Sequence, residues 1–461
     1  MLIALVYRLP VELAMKPEMK PQMNAQTQPE MKPQMNAQTQ PEMKPQMNAQ
    51  MQPEMKPRMR PNAEMPTLPA SEQRPLKLAL VSTGLGHINR GFEISTARWF
   101  EALQRHSSLD VRLYSGGKHC GAKALWNFPR SSIWTKPIQY IPFMSEQHRW
   151  EFTYGVEQVS FWSALNFELI AWKPDAIWVK DVPLAHMLLA SRVAFNLKFK
   201  IILANGGMFR PKTYECFDLI QQLQHQAFDE AVEFGIAPEK MEILGNCVPA
   251  PAAFLPGDRA QVRQSLGLKD TDYVIVCVAA WNKYHKRIDY LLNEVARLQD
   301  SNIKLLLCGA TEVDTKELQD QGKELLGDRV QWLTVEPEKV ASILQASDVF
   351  VLPSLRESFG NVLLEAALCG LPVVTHPHDG AQFVIADDFW MTDMSEEGNL
   401  SKRLIWLKDN AADIAGHVQQ LKDDVNKRFS EEALVRQFQQ MVRRTVYSNP
   451  SRIAIGASQL D

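Results

Sequence analysis

No stretch of this chain is apolar for long enough to read as a membrane-spanning helix, which needs about twenty such residues. The first fifteen residues are apolar but carry Arg8, Pro10 and Glu12 and lack a basic start, so they make a poor signal peptide. Cysteine is scarce and scattered. The six, Cys120, Cys216, Cys247, Cys277, Cys308 and Cys369, form no C-x-x-C pair, and several fall in apolar strand-like runs. They read as buried thiols in a reducing compartment rather than as a zinc site or a disulfide framework. Positive charge is not in excess either: the formal net charge is -3, which argues against a nucleic-acid partner. The expected location is cytoplasmic, with peripheral membrane contact left open.

What the chain has in abundance is repetition at its start. A twelve-residue unit beginning Met-Lys-Pro-Gln occupies residues 19–30, recurs at 31–42, and returns at 43–54 with Met51 as its one change. Repeated prolines remove backbone donors, and Gln, Asn and Lys bury little, so residues 1–75 are expected to be a disordered, low-complexity tail. The rest of the 461 residues suffices for two domains, and a hydrophobic content of 45% can fill two cores.

Folded sequence is expected from residue 76. Residues 77–82 read as a strand, 83–91 as a glycine-rich turn containing Gly84, Gly86 and His87, and 92–103 as a helix. That pattern invites a dinucleotide site. Against it, Asn89 replaces the third glycine of G-x-G-x-x-G, and the next strand ends in Ser115-Gly116-Gly117 without a ribose-binding acid, so a redox Rossmann enzyme is disfavoured.

A second strand–turn–helix is richer. Residues 349–352 are a short continuous apolar run suited to a buried parallel strand; Arg356-Glu357-Ser358-Phe359-Gly360-Asn361 follows, and a helix is expected to about Leu368. Gly370 caps it, Pro372 prevents its resumption, and residues 373–375 read as the next strand. Helix starts at the carboxyl ends of such strands attract anions, so Glu357 and Glu365 flank a natural diphosphate site. If the segment is helical throughout, eight positions advance by about 12 Å, a span that fits a nucleotide sugar, with one carboxylate on the sugar ring and the other on a ribose.

Glu-Ser-Phe-Gly, the second glutamate and Ala-Leu-Cys-Gly-Leu-Pro-Val-Val together resemble the donor-site signature of retaining glycosyltransferase family 4, the glycosyl transferases group 1 or glycogen-synthase-like branch of the GT-B superfamily. The resemblance implies an α/β GT-B fold: two Rossmann-like parallel-sheet domains facing a cleft. It places an acceptor domain at 76–250, a nucleotide-sugar donor domain at 251–429, and a helix crossing back to the first domain, with a C-terminal tail, at 430–461.

The same resemblance assigns roles. Donor contacts fall to Gly84, Gly86, Lys286, Glu357, Ser358, Phe359, Gly360, Asn361 and Glu365, with Glu357, Lys286 and His87 as the catalytic set. His87 either meets the sugar or phosphate or packs at its turn. Asp181 and Asn205, at strand ends facing the cleft, are candidate acceptor contacts, with helix capping the competing role for Asp181. The family carries an Arg straight after the strand at 273–279, where this chain has Ala280; Lys283 and Arg287 are the candidates to compensate. Trp99, Trp126, Trp150 and Trp162 read as core or as sugar platforms. Asp270-Thr271-Asp272 reads as a turn rather than a metal site. The implied chemistry is metal-independent, retaining transfer without a cofactor, from a nucleotide-sugar donor to a hydroxyl of a saccharide, lipid or small molecule. A non-catalytic nucleotide-sugar binder and a nucleotide-sugar epimerase are the alternatives.

Overall fold

The structure, a computed structural model, describes residues 74–88, 91–130, 132–133, 135–137, 144–206, 209–247 and 259–447. The repeats, the linker expected after Leu244 as far as its residues 248–257 are concerned, Asn89 and the chain end lie outside the described residues. Among those described, no helix is long and apolar enough to cross a membrane.

In chain order the first half comprises β1 (Lys77–Ser82), α1 (Gly91–His106), β2 (Asp110–Ser115), β3 (Ala122–Ala124), α2 (Glu146–Trp172), β4 (Ala176–Val179), α3 (Val182–Ala194), β5 (Lys200–Asn205), β6 (Leu219–Gln222), α4 (His225–Phe234) and β7 (Met241–Ile243). The second comprises α5 (Arg259–Ser265), β8 (Tyr273–Val278), α6 (Ile288–Ala296), β9 (Ile303–Cys308), α7 (Thr315–Leu326), β10 (Val330–Leu333), α8 (Val340–Ala346), β11 (Val349–Leu352), α9 (Asn361–Leu368), β12 (Val373–Thr375), α10 (Asp379–Ile385), α11 (Asn399–Asp409), α12 (Ala415–Phe429) and α13 (Glu431–Tyr447).

The strands form two parallel sheets, ordered β3-β2-β1-β4-β5-β6-β7 and β10-β9-β8-β11-β12. Parallel strands need crossover helices, and those helices cover both faces, which is why β4, β11 and β12 are buried throughout. Side chains of β1 divide between two cores: Leu78 and Leu80 face one, Ala79 and Val81 the other. Helix α13 seals the first of these, its Phe438 fully buried with its ring centroid 4.6 Å from that of Trp99. A side chain so placed contributes about 1.5–3 kcal/mol.

The structure corrects one expectation and decides two that were open. Cys247, Cys277 and Cys308 are buried, but Cys120 and Cys216 are exposed, because each lies in a connecting segment rather than a strand. Trp99 is core, whereas Trp126 and Trp150 stand exposed. Glu357 precedes α9 instead of lying on it, so the helical geometry expected between the two glutamates applies only from Asn361 onward.

Candidate active site

Each sheet reverses its strand order once, at β1/β4 and at β8/β11, and crevices at such reversals are where doubly wound sheets bind ligands. The segments leaving β8 and β11 meet there. Asn282 Oδ1 accepts from the backbone N–H groups of His285 (3.0 Å) and Lys286 (2.8 Å), which folds the β8–α6 loop back on itself. Lys286 Nζ then donates to Glu357 Oε1 beyond β11. His285 Nε2 lies 3.8 Å from the same oxygen and 3.1 Å from the Arg356 carbonyl. Burial alone would raise the Glu357 pKa, but Lys286 and His285 outweigh it and the carboxyl is held below its ordinary value.

Helix α9 opens next to this pair. Gly360 occupies its N-cap with φ of 83°, a left-handed conformation natural to glycine, and no side chain caps the helix start. Asn361 Oδ1 accepts from Asn246 Nδ2 at 3.0 Å, joining α9 to the end of the first domain. Ser358 is half-buried, while the Phe359 ring is buried among Phe383 and Phe429. Glu365, one turn into the helix, pairs at 2.8 Å with Arg98 of α1.

After β1, the Gly84–Gly86 turn is tightly packed. A Cβ on Gly84 would lie 2.3 Å from Glu93 Oε1, and one on Gly86, whose φ is 85°, would lie 2.5 Å from the Gly117 backbone. His87 is exposed on this turn, its Nδ1 close over Gly117. Asp181 occupies the N-cap position of α3 yet makes no cap bond there. Its carboxylate instead accepts from Tyr154 OH at 2.8 Å and from Thr83 Oγ1 at 3.3 Å. Asn205 is buried between strands, donating to Gln222 Oε1 at 2.8 Å.

Lys180, beside Asp181, was not singled out by its sequence. It is buried, donates to Ser95 Oγ and to Asn246 Oδ1 (3.4 Å), and has its pKa lowered to about 7 by burial, against the pull of Glu93 and Asp181. His285, Arg98, Asn246, Gln224 and His378 also carried no local signal, since each acquires its meaning from a partner distant in sequence. The residues expected to compensate for Ala280 are occupied elsewhere. Lys283 pairs with Glu317 of α7, and Arg287 donates to the Met394 carbonyl at 2.7 Å while stacking on Tyr290. Asp272 accepts from Lys269 N–H at 2.8 Å, a turn bond.

Residues 258–434 match the family described as Glycosyl transferases group 1. The D-inositol 3-phosphate glycosyltransferase of Segniliparus rotundus is 30% identical over 231 residues, which is 46% of this chain and 49% of that protein. The chain spans about half or less of the length of the first curated relatives it matches. Among solved structures, Anabaena HepE in complex with UDP and glucose superposes with a TM-score of 0.64 at 16% identity, covering 80% of this chain and 99% of that one. Sucrose-phosphate synthase from Thermosynechococcus elongatus gives a TM-score of 0.64 at 18% identity, covering 80% and 98%. The fold is therefore GT-B, two parallel-sheet α/β domains, and the second of them carries the match to the glycosyl transferases group 1 family.

Proposed function

We propose that the protein is a retaining glycosyltransferase that moves a sugar from a nucleotide-sugar donor to a hydroxyl acceptor without a metal ion. The observation that carries this reading is the Lys286–Glu357 pair at the β8/β11 reversal, set beside the uncapped start of α9. Departure of a nucleoside diphosphate leaves negative charge. Lys286 and the α9 N–H groups are fixed where they can offset it, and fixed charges need no reorganisation during reaction. Glu357, kept ionised by its neighbours, accepts hydrogen bonds from hydroxyls of the donor sugar. Glu365 accepts from the ribose, exchanging Arg98 for it.

The acceptor hydroxyl then forms its bond to the anomeric carbon on the face the diphosphate vacates. The leaving phosphate oxygen takes the acceptor proton, so no protein nucleophile enters and configuration is kept. Asp181 and His87, at the β1/β4 reversal, face the acceptor side in this scheme. The curated relatives named for transfer to inositol 3-phosphate favour a phosphorylated polyol or sugar among the acceptors to try first. Incubating the full chain with UDP-, GDP- and ADP-sugars and a polyol phosphate panel, with the product anomer read by NMR, tests the reading. Product of inverted configuration, or no turnover of any donor despite tight binding, would sink it; the second result would favour a nucleotide-sugar binder.

A further inference from the structure

Two buried polar atoms that the scheme above leaves idle lie beside Glu357, one from each domain. His378 is the N-cap of α10, and its Nδ1 accepts from the Ala381 N–H at 3.1 Å. That bond puts the ring proton of the neutral imidazole on Nε2. Nε2 is buried and has no hydrogen-bond partner among the described residues. Burial lowers the His378 pKa to about 4, with Glu357 opposing the shift and His376, Lys286 and His285 adding to it, so the neutral Nε2–H form holds at physiological pH. From the first domain, Gln224 follows β6 at 2% exposure, and its Oε1 likewise lacks a partner.

Gly380, two residues after His378, shows how close Gln224 comes to the Glu357 backbone. A Cβ there would lie 2.5 Å from the Glu357 carbonyl oxygen and 3.2 Å from Gln224 Oε1. The two segments are held together by the Gln226 N–H donating to Asp379 Oδ2 at 3.1 Å and by the His225 and Phe383 rings, 5.3 Å apart. A donor and an acceptor left buried and unpaired around the Glu357 segment are costly to keep, which the folded chain alone does not require.

We propose that His378 Nε2–H and Gln224 Oε1, together with Glu357, bind hydroxyls of the donor's sugar ring and select that sugar. The chemistry matches a vicinal diol. One hydroxyl donates to Glu357 and accepts from His378, and its neighbour donates to Gln224 across the domain boundary. Entry requires the α4 and α10 starts to part, and re-closure over the sugar completes the hydroxyl contacts. The inference rests on the donor-site reading given above and adds the residues that recognise the sugar.

Calorimetric titration of the full chain with UDP-glucose, GDP-mannose and ADP-glucose, each against its sugar-free nucleoside diphosphate, tests it. His378→Ala and Gln224→Ala should each weaken the sugar nucleotide by about tenfold, the loss expected for one hydrogen bond, and change the diphosphate by less than about twofold. Because His378 also caps α10, His378→Asn is the companion variant. It keeps a capping acceptor but not the reach of Nε2, and it should behave like His378→Ala. Equal weakening of both ligand classes, or of neither, would overturn the sugar-selecting role while leaving the donor site standing. Failure of the unaltered chain to bind any of the six ligands would overturn both.

Discussion

The guanidinium of Arg98 and the carboxylate of Glu365 meet at 2.8 Å, each side chain less than a fifth exposed, and so join the helix after β1 to the helix after β11. An ion pair this shielded is worth little net, but breaking it strands a charge away from water. Under the proposed scheme the donor ribose takes Glu365 from Arg98. Arg98→Ala and Glu365→Ala should each cost about 1–3 kcal/mol in urea unfolding, and the double variant less than their sum. Strict additivity would mean that the pair contributes no coupling. If Glu365 serves the ribose, its replacement should raise KM for the donor more than it lowers kcat.

The charge on Glu357 has an identifiable source. Burial opposes ionisation, and Lys286 and His285 overcome it. A carboxyl with a lowered folded pKa adds stability that is present above its unfolded value and lost as pH falls through the lower folded one. Lys286→Met removes the larger opposing charge, so burial prevails and the Glu357 pKa rises. The acid limb of the kcat/KM profile should then move to higher pH, with the maximum rate down by about a hundredfold or more for want of leaving-group stabilisation. An unmoved acid limb would show that Glu357 ionisation does not govern turnover.

Lys180 supplies a pH signature of the same sign in a higher window. Its pKa falls from 10.5 to about 7 on folding, chiefly through burial. Below about pH 7 both states carry the proton and the folded state bears the full cost of a buried charge. Between the two values the unfolded chain holds a proton that the folded one has released, so this group makes stability rise with pH across that window. Lys180→Met, apolar and of similar length, should flatten the rise when melting is followed from about pH 7 to 10. A slope equal to that of the unaltered protein would assign the titration to another group.

The strands at 77–82, 349–352 and 373–375 were legible in the sequence because buried parallel strands leave continuous apolar runs, whereas β3 and β6, short and carrying Lys123 or Gln221 and Gln222, were not. Glu357, Gly360 and Asn361 stood out as candidates because a strand, a turn and a helix start fall within a dozen residues, the pattern at which doubly wound sheets bind anions. The partners were not. Arg98 is one of many arginines until β1 and β11 bring their helices together, and His378 gains its role only from Ala381, Glu357 and Gln224. Glycine misleads in a related way. Gly84 and Gly86 read as a loop open to a diphosphate, yet in the structure their missing side chains make room for Glu93 and the Gly117 backbone.

Gly380 offers the sharpest test of geometry at the site, because it separates two kinds of glycine. A methyl group there would sit 2.5 Å from the Glu357 carbonyl oxygen, a backbone atom that no rotamer change can move aside. Gly380→Ala must therefore displace either the α10 start or the Glu357 segment. A shift of about 1 Å at a positioned group costs roughly a hundredfold in rate. Gly416, near the start of α12, has nothing within 4 Å of its Cβ position, so Gly416→Ala should gain about 0.4–1 kcal/mol of stability and leave turnover unchanged. Measured together, the first variant should fold and lose activity while the second gains stability. Full activity in Gly380→Ala would mean that the Glu357 backbone tolerates displacement and that its placement beside Lys286 does not limit the reaction.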